Sequence, residues 1–468
     1  MAEFQADHNL VVRAAHVTRP DNSAEIRVRD DASSPWRTIV AWGPDEMNSD
    51  ATGLAGFSAD NSAVRIVTSL GANAERLIEV GVRTGARKIL GEDPLFDVAR
   101  WMESPATHAL EAVAFEKERP QWVFFDRTVE ADFALLGTGR PGSISIRSRD
   151  RADRTWLVKI SAPDHPTTYY RFDRVSKRVE RLFSEDPGLE RVQLAAKEPI
   201  SFTARDGMTI HGYLTLPAGG PPKSLPTIVL VHGGPWTRDT WSLDFPVQWL
   251  ANRGYAVLQV NFRASTGYGK TYQNAGNLEW GGKVIHDLVD GRRWAVARGI
   301  ADPRRVAIMG TSFGGYATLV ALTSWPKDFA CGVAINAFSD AGLFLASMPP
   351  TWTVQKARFE ARMGKDPDLL RRISPLFRAD QVERPVFIAH NANDVRIVLR
   401  QAELMVAALR AHRKDVTFMV LPGAGHVSGG LPENLLRRYA AVEAFLGTHL
   451  GGRVEPPAEA DRWDALLK

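Results

Sequence analysis

A serine hydroxyl attacks a carbonyl only when a base takes its proton, and that base works best when a carboxylate fixes its tautomer and balances its charge. The three groups occur in this chain in the order Ser312, Asp394, His426, each shortly after a run of apolar, β-forming residues. Ser312 sits in Gly310-Thr311-Ser312-Phe313-Gly314, a G-x-S-x-G pattern between the apolar run 306–309 and a helical stretch. That context predicts a strand–turn–helix elbow, with small residues where the turn is tightest and the hydroxyl raised above a sheet. Asp394 closes His390-Asn391-Ala392-Asn393-Asp394 after the run 386–389, and His426 closes Leu421-Pro422-Gly423-Ala424-Gly425-His426 after the run 416–420. The expected roles are nucleophile for Ser312, orienting carboxylate for Asp394, and general base then acid for His426. Singly, such residues are common as a Gly-rich turn, a loop cap and a hydrogen-bonded loop histidine. Their joint placement after successive strands favours the chemistry.

Attack on a carbonyl builds an oxyanion that needs preorganised donors. His232-Gly233-Gly234-Pro235 follows the run 227–231. The backbone N–H groups of Gly234 and of Phe313, the residue after the serine, are the expected oxyanion hole; the competing reading of this loop is a plain Gly-Pro turn.

These residues require a sheet whose strands end side by side. From about 196 to 468 the chain alternates apolar runs at 227–231, 256–260, 306–309, 332–335, 386–389 and 416–420 with helical stretches at 313–323, 399–411 and 433–450, after a hairpin at 200–203 and 210–215. This predicts a doubly wound, mostly parallel α/β domain with its site beyond the carboxyl ends of the strands. Residues 1–195 have another rhythm: short alternating β runs such as 24–29, 63–67 and 155–160, separated by Asp, Asn, Gly and Ser, with no long helical period between them. They predict an all-β, propeller-like domain of about four blades, the first incomplete, with a β-sandwich as the alternative.

Two domains suit 468 residues, 44% of them hydrophobic. A formal net charge of +4 argues against nucleic acid as a partner. The single cysteine, Cys331, excludes an intrachain disulfide and a multi-cysteine metal site, and its apolar neighbours place it in a buried strand. The first residues lack the basic and apolar stretches of an export signal, and no apolar window is long enough to span a bilayer, so the expectation is a cytoplasmic protein without a membrane partner. No cofactor or metal is called for, and the sequence leaves room for a homo-oligomer.

The residues from about 196 to 450 resemble the prolyl oligopeptidase family of serine peptidases, most of all its acylaminoacyl-peptidase branch. The resemblance rests on His232-Gly233-Gly234-Pro235, on the run from Asn261 through Gly269, on Glu279-Trp280-Gly281-Gly282 with Asp287-Leu288-Val289-Asp290, on Gly310 through Tyr316, on Ser374-Pro375-Leu376, on Asn393-Asp394-Val395-Arg396 and on the His426 loop. It implies an α/β-hydrolase domain capped by a β-propeller that admits short peptides, working without a cofactor. It further implies that Arg396 contacts a substrate carbonyl beside the acyl group, and pocket walls that include Phe338 and Trp352. The chain departs from the family pattern at Ala264, at Asn391, where the family has glycine, and around the histidine, where Ala424, Gly425 and Val427 stand. The N-terminal half is short for the family, as in a reduced propeller or an N-terminally incomplete copy. The expected function is hydrolysis of short or N-acylated peptides through an acyl-enzyme. The alternatives are a carboxylesterase for small esters, a dipeptidyl peptidase of the same family and, from a different class, a non-catalytic propeller-bearing binding protein.

Overall fold

The computed structural model describes residues 2–46, 51–219, 223–426, 432–456, 458, 463 and 466–468; Val427 lies outside this set. The chain divides into two compact units, one of residues 1–194 with 240–244 and 266–274, the other of the remainder.

The first unit contains four consecutive antiparallel meanders. Their strands are Ala2–Ala6, Val12–Thr18, Ala24–Val28 and Arg37–Trp42; then Gly53–Phe57, Ala63–Thr68, Arg76–Gly81 and Arg87–Gly91; then Val98–Glu103, Leu110–Glu116 and Pro120–Phe124; then Ser143–Arg149, Thr155–Ala162, His165–Asp173 and Arg178–Ser184. Separate small sheets of this kind are propeller blades, not the two facing sheets of a sandwich. The first sheet has its four strands, and it is the third that has three, which corrects the expectation of an incomplete first blade.

The third sheet is followed by the helix Arg127–Gly137, which breaks the uninterrupted β rhythm expected there. Asp126 starts it by accepting the N–H groups of Thr128 (2.7 Å) and Val129 (3.2 Å). Val129, Phe133 and Leu136, at helical spacing, bury one face against Trp122, Phe124 and Trp156.

The second unit is built on an eight-stranded sheet, its strands numbered here β1 Lys197–Thr203, β2 Thr209–Thr215, β3 Leu225–Val231, β4 Ala256–Asn261, β5 Ala301–Thr311, β6 Cys331–Ile335, β7 Val386–Asn391 and β8 Val416–Leu421. Their order is β1-β2-β4-β3-β5-β6-β7-β8, with β1, β2 and β4 paired antiparallel and every later pairing parallel. This is the α/β-hydrolase sheet. The strand order reverses beside β3, so the loops after β3 and β5 open at a topological switch point. Residues of β4, β6 and β7 are buried throughout, as their unbroken apolar runs require. Cys331 is buried in β6, and burial pushes its thiol up to about 12.

Helices Phe313–Ser324, Arg400–Ala411 and Pro432–Leu450 occupy the expected stretches. Others escaped the sequence reading, among them Phe245–Asn252, Lys283–Ala297, Ala341–Ala346 and Thr353–Met363. Lys283–Ala297 has at its N-cap Gly282, which offers no side chain, and its first N–H is accepted by Glu279 Oε2 at 3.1 Å, so the usual start signal is missing.

Several residues shared with the family pattern are structural. Arg263, just after β4, is buried with its guanidinium between Asp287 (2.7 and 2.9 Å) and Asp206 (2.7 and 3.0 Å), and Arg205 pairs with Asp290 at 2.7 Å. These ion pairs tie the loop after β4 and the β1–β2 turn to the helix Lys283–Ala297.

Candidate active site

Ser312 occupies the turn between β5 and the helix Phe313–Ser324 with φ +60° and ψ −119°, a conformation that costs a non-glycine residue energy and is held only by its surroundings. Its N–H donates to the Ile335 carbonyl at 2.8 Å. A Cβ on Gly314 would run into the Val231 carbonyl, and one on Gly310 would run into Gly314, so both flanking positions of the elbow admit only glycine.

The other two groups meet it from the next loops. His426 Nε2 lies 3.0 Å from Ser312 Oγ, and Nδ1 lies 2.6 Å from Asp394 Oδ2. With the Nδ1 proton donated to the carboxylate, Nε2 is the lone-pair nitrogen that accepts the serine hydroxyl. The second Asp394 oxygen accepts the N–H groups of Arg396 and Ile397, both at 2.9 Å. Burial by itself raises the Asp394 carboxyl; the hydrogen bonds from His426 and from the Ile397 and Arg396 backbone outweigh it and hold the group below its ordinary value. The carboxylate is thus charged and fully hidden behind the imidazole.

The loop after β3 brings Gly234 to the same place, with φ +109°. Among the described residues, neither the Gly234 N–H nor the Phe313 N–H has a hydrogen-bond acceptor. The loop is braced by His232, whose Nδ1–H donates to the Gly233 carbonyl (2.7 Å) and whose Nε2 accepts the Ser265 hydroxyl (2.9 Å). Burial pushes this imidazole down to about 4, so it is neutral at pH 7 and adds no charge beside the site.

All eight residues singled out in the sequence lie at one place: a cavity of about 320 Å³ lined by Gly234, Ser312, Phe313, Phe338, Trp352, Arg396 and His426, with Asp394 directly behind the histidine. Phe338 stacks on Tyr316 (4.1 Å between centroids) and on Phe344 (4.7 Å), and the Arg396 guanidinium stands 5.8 Å from the Trp352 ring. The remaining wall is Phe344, Met348, Gln355, Phe359 and Ile397, none of which the sequence singled out. Four of these come from the 341–363 excursion between β6 and β7. Its available signals were the length of that connection and Asp340, which caps Ala341–Ala346. No group of three or more metal-ligating side chains occurs among the described residues.

A serine in a strained turn, joined through an imidazole to a buried carboxylate on an α/β-hydrolase sheet, belongs to the class of serine hydrolases. Residues 241–453 match the model of the prolyl oligopeptidase family. Dipeptidyl aminopeptidase BIII of Pseudoxanthomonas mexicana is 38% identical over 97% of this chain and 67% of its own length, and dipeptidyl peptidase family member 6 of Caenorhabditis elegans is 37% identical over 75% of this chain and 51% of its own. Among solved structures, a Mycobacterium tuberculosis puromycin-hydrolysing peptidase superposes with a TM-score of 0.79 at 23% identity, covering 97% of this chain and 71% of that one. The chain belongs to the prolyl oligopeptidase family of serine peptidases. It spans about two thirds of the first of these relatives and about half of the second. No described helix is long and apolar enough to cross a membrane.

Proposed function

We propose that the protein hydrolyses short peptides, blocked or unblocked at the N-terminus, through an acyl-enzyme on Ser312. The observation that carries this reading is the hydrogen-bonded series Asp394, His426, Ser312 opening directly into an apolar cavity. Ser312 Oγ attacks the scissile carbonyl while His426 Nε2 takes its proton, and the oxyanion is received by the N–H groups of Gly234 and Phe313. Collapse of the intermediate breaks the C–N bond, and His426 returns the proton to the departing amine. Water then repeats the sequence on the ester, with His426 again the base. Asp394 holds the imidazole in the required tautomer throughout.

The aromatic lining contributed by Phe338, Phe344, Trp352 and Phe359 supports a large apolar side chain next to the scissile bond. Arg396, whose guanidinium borders the same cavity, supports recognition of a substrate carbonyl and hence of blocked peptides. A second reading, release of dipeptides from free N-termini, is favoured by the 38% identity to a dipeptidyl aminopeptidase over nearly the whole chain.

The test is kcat/KM for an acetyl-phenylalanyl anilide, a dipeptidyl anilide with a free amine and a short-chain ester, on the wild type and on Ser312→Ala. Turnover of at least one anilide that disappears in Ser312→Ala is the expected result, and the better anilide ranks the two readings. Cleavage of the ester alone would replace peptidase by esterase, and an active Ser312→Ala variant would remove the nucleophile assignment.

A further inference from the structure

Asn336 stands at the end of β6 with φ +48°, and its side chain faces two catalytic loops at once. Its Oδ1 accepts the backbone N–H of Asn391 at 2.9 Å, and its Nδ2 donates to the carbonyl of His426 at 3.2 Å. The Asn391 side chain continues the chain of amides: its Nδ2 donates to the carbonyl of Gly425 at 2.6 Å. Both asparagines are 1% exposed. The backbone of the same corner is stitched as well, with Ser312 N–H on Ile335 O, Asn336 N–H on Ala389 O, and Asn393 N–H on Ala424 O, at 2.8 to 3.0 Å.

Two buried amides therefore hold two successive carbonyls, those of Gly425 and His426, against the ends of β6 and β7. The direction in which the imidazole leaves its backbone depends on the orientation of these two peptide groups. A base displaced by about 1 Å from its nucleophile can lose on the order of a hundredfold in rate. The bond to Gly425 comes from the Asn391 side chain, so a glycine at this position could not make it.

We propose that Asn391 and Asn336 form an amide clamp that positions His426 for proton transfer with Ser312. The inference rests on His426 being the base. Both residues act through the histidine and neither lines the substrate cavity, so they are positioning residues whose loss lowers kcat and leaves KM in place.

Asn391→Ala and Asn391→Asp are compared with wild type for anilide hydrolysis, together with Asn336→Gly, which tolerates the positive φ. Thermal unfolding of each variant is followed alongside. For Asn391→Ala the expected result is a fall in kcat of roughly ten- to hundredfold with KM within about twofold. Asn391→Asp should be worse than alanine, because it turns an oxygen instead of an N–H toward the Gly425 carbonyl; a residue that merely fills space would show the opposite order. Asn336→Gly should lower kcat likewise, and adding Asn391→Ala should cost less than the product of the two single effects. Wild-type kcat in folded Asn391→Ala, or a change confined to KM or to the melting temperature, overturns the clamp. Should Asn391→Ala not fold, the kcat of Asn336→Gly decides on the same terms. Failure of the underlying reading has a different signature: Ser312→Ala or His426→Ala would remain active.

Discussion

The Asp394 carboxylate is fully hidden, charged, and surrounded by three donors, two backbone N–H groups and the imidazole. Removing its charge while keeping its shape leaves the fold intact but no longer selects the Nδ1–H tautomer of His426. Asp394→Asn is therefore expected to keep its melting temperature within a few degrees and KM nearly unchanged, while kcat drops about ten-thousandfold, the scale of such a change in other Ser-His-Asp sites. Steady-state kinetics with the preferred anilide checks it. At this scale the convergence of Ser312, Asp394 and His426 was legible in the sequence. G-x-S-x-G with Asp and His after later strands is a pattern of residue types at strand ends, and a strand end is a local property. Asn336 left no such trace, because an asparagine after a strand is an ordinary turn residue until its partners are known; Asn391 stood out only as a departure from the family pattern, with no partner legible for its side chain.

At the scale of elements, the Arg263 guanidinium joins the β1–β2 turn, the loop after β4 and the helix Lys283–Ala297 through Asp206 and Asp287. Its hydrogen bonds to Asp206 outweigh partial burial and hold that carboxyl down at about 2. A carboxyl whose folded value is depressed contributes stability that is complete above its unfolded value near ~4 and is lost as pH falls through the folded one. The melting-temperature gap between wild type and Asp206→Asn should thus be constant above about pH 5 and close as pH falls toward about 2. Thermal unfolding at pH 7, 5, 4 and 3 tests this, and a gap that does not change across the series would refute the assignment. The element scale also holds the clearest misreading. The helix Arg127–Gly137 was missed in a stretch read as strands, although Asp126 as cap and Val129, Phe133 and Leu136 at helical spacing were there to be counted. Its neighbours are all strands, and that regularity masked one three-turn exception.

For the molecule as a whole, chain order and packing part company at 266–274, a segment that follows β4 in sequence but belongs by contact to the first unit. Asp97 is one of its anchors, its carboxylate accepting the N–H groups of Gly267 (3.1 Å) and Gly269 (3.3 Å) and of Glu75 (2.7 Å). Phe96 lies against Tyr268, which is nearly buried. Asp97→Ala strands three donors at once and should cost about 2 to 4 kcal/mol of stability, read as a lower denaturant midpoint. A midpoint equal to wild type would show that the carboxylate adds nothing to the segment's other ties, among them Asn73 accepting the N–H groups of Lys270 and Thr271 and Phe96 lying on Tyr268.

What the sequence determined by itself were features fixed by short-range forces: buried strands from unbroken apolar runs, the elbow from glycines that leave no room for a Cβ, and the chain order of Ser312, Asp394 and His426, each following a strand. The tertiary structure decided how those ends converge. It brought the walls of the cavity from an excursion of 341–363, joined Asn336 to loops 55 and 90 residues further along the chain, and assigned 266–274 to the first unit. Contacts of that kind depend on the summed packing of many elements, and no periodicity within a single stretch of residues encodes which distant side chain will lie within hydrogen-bonding reach.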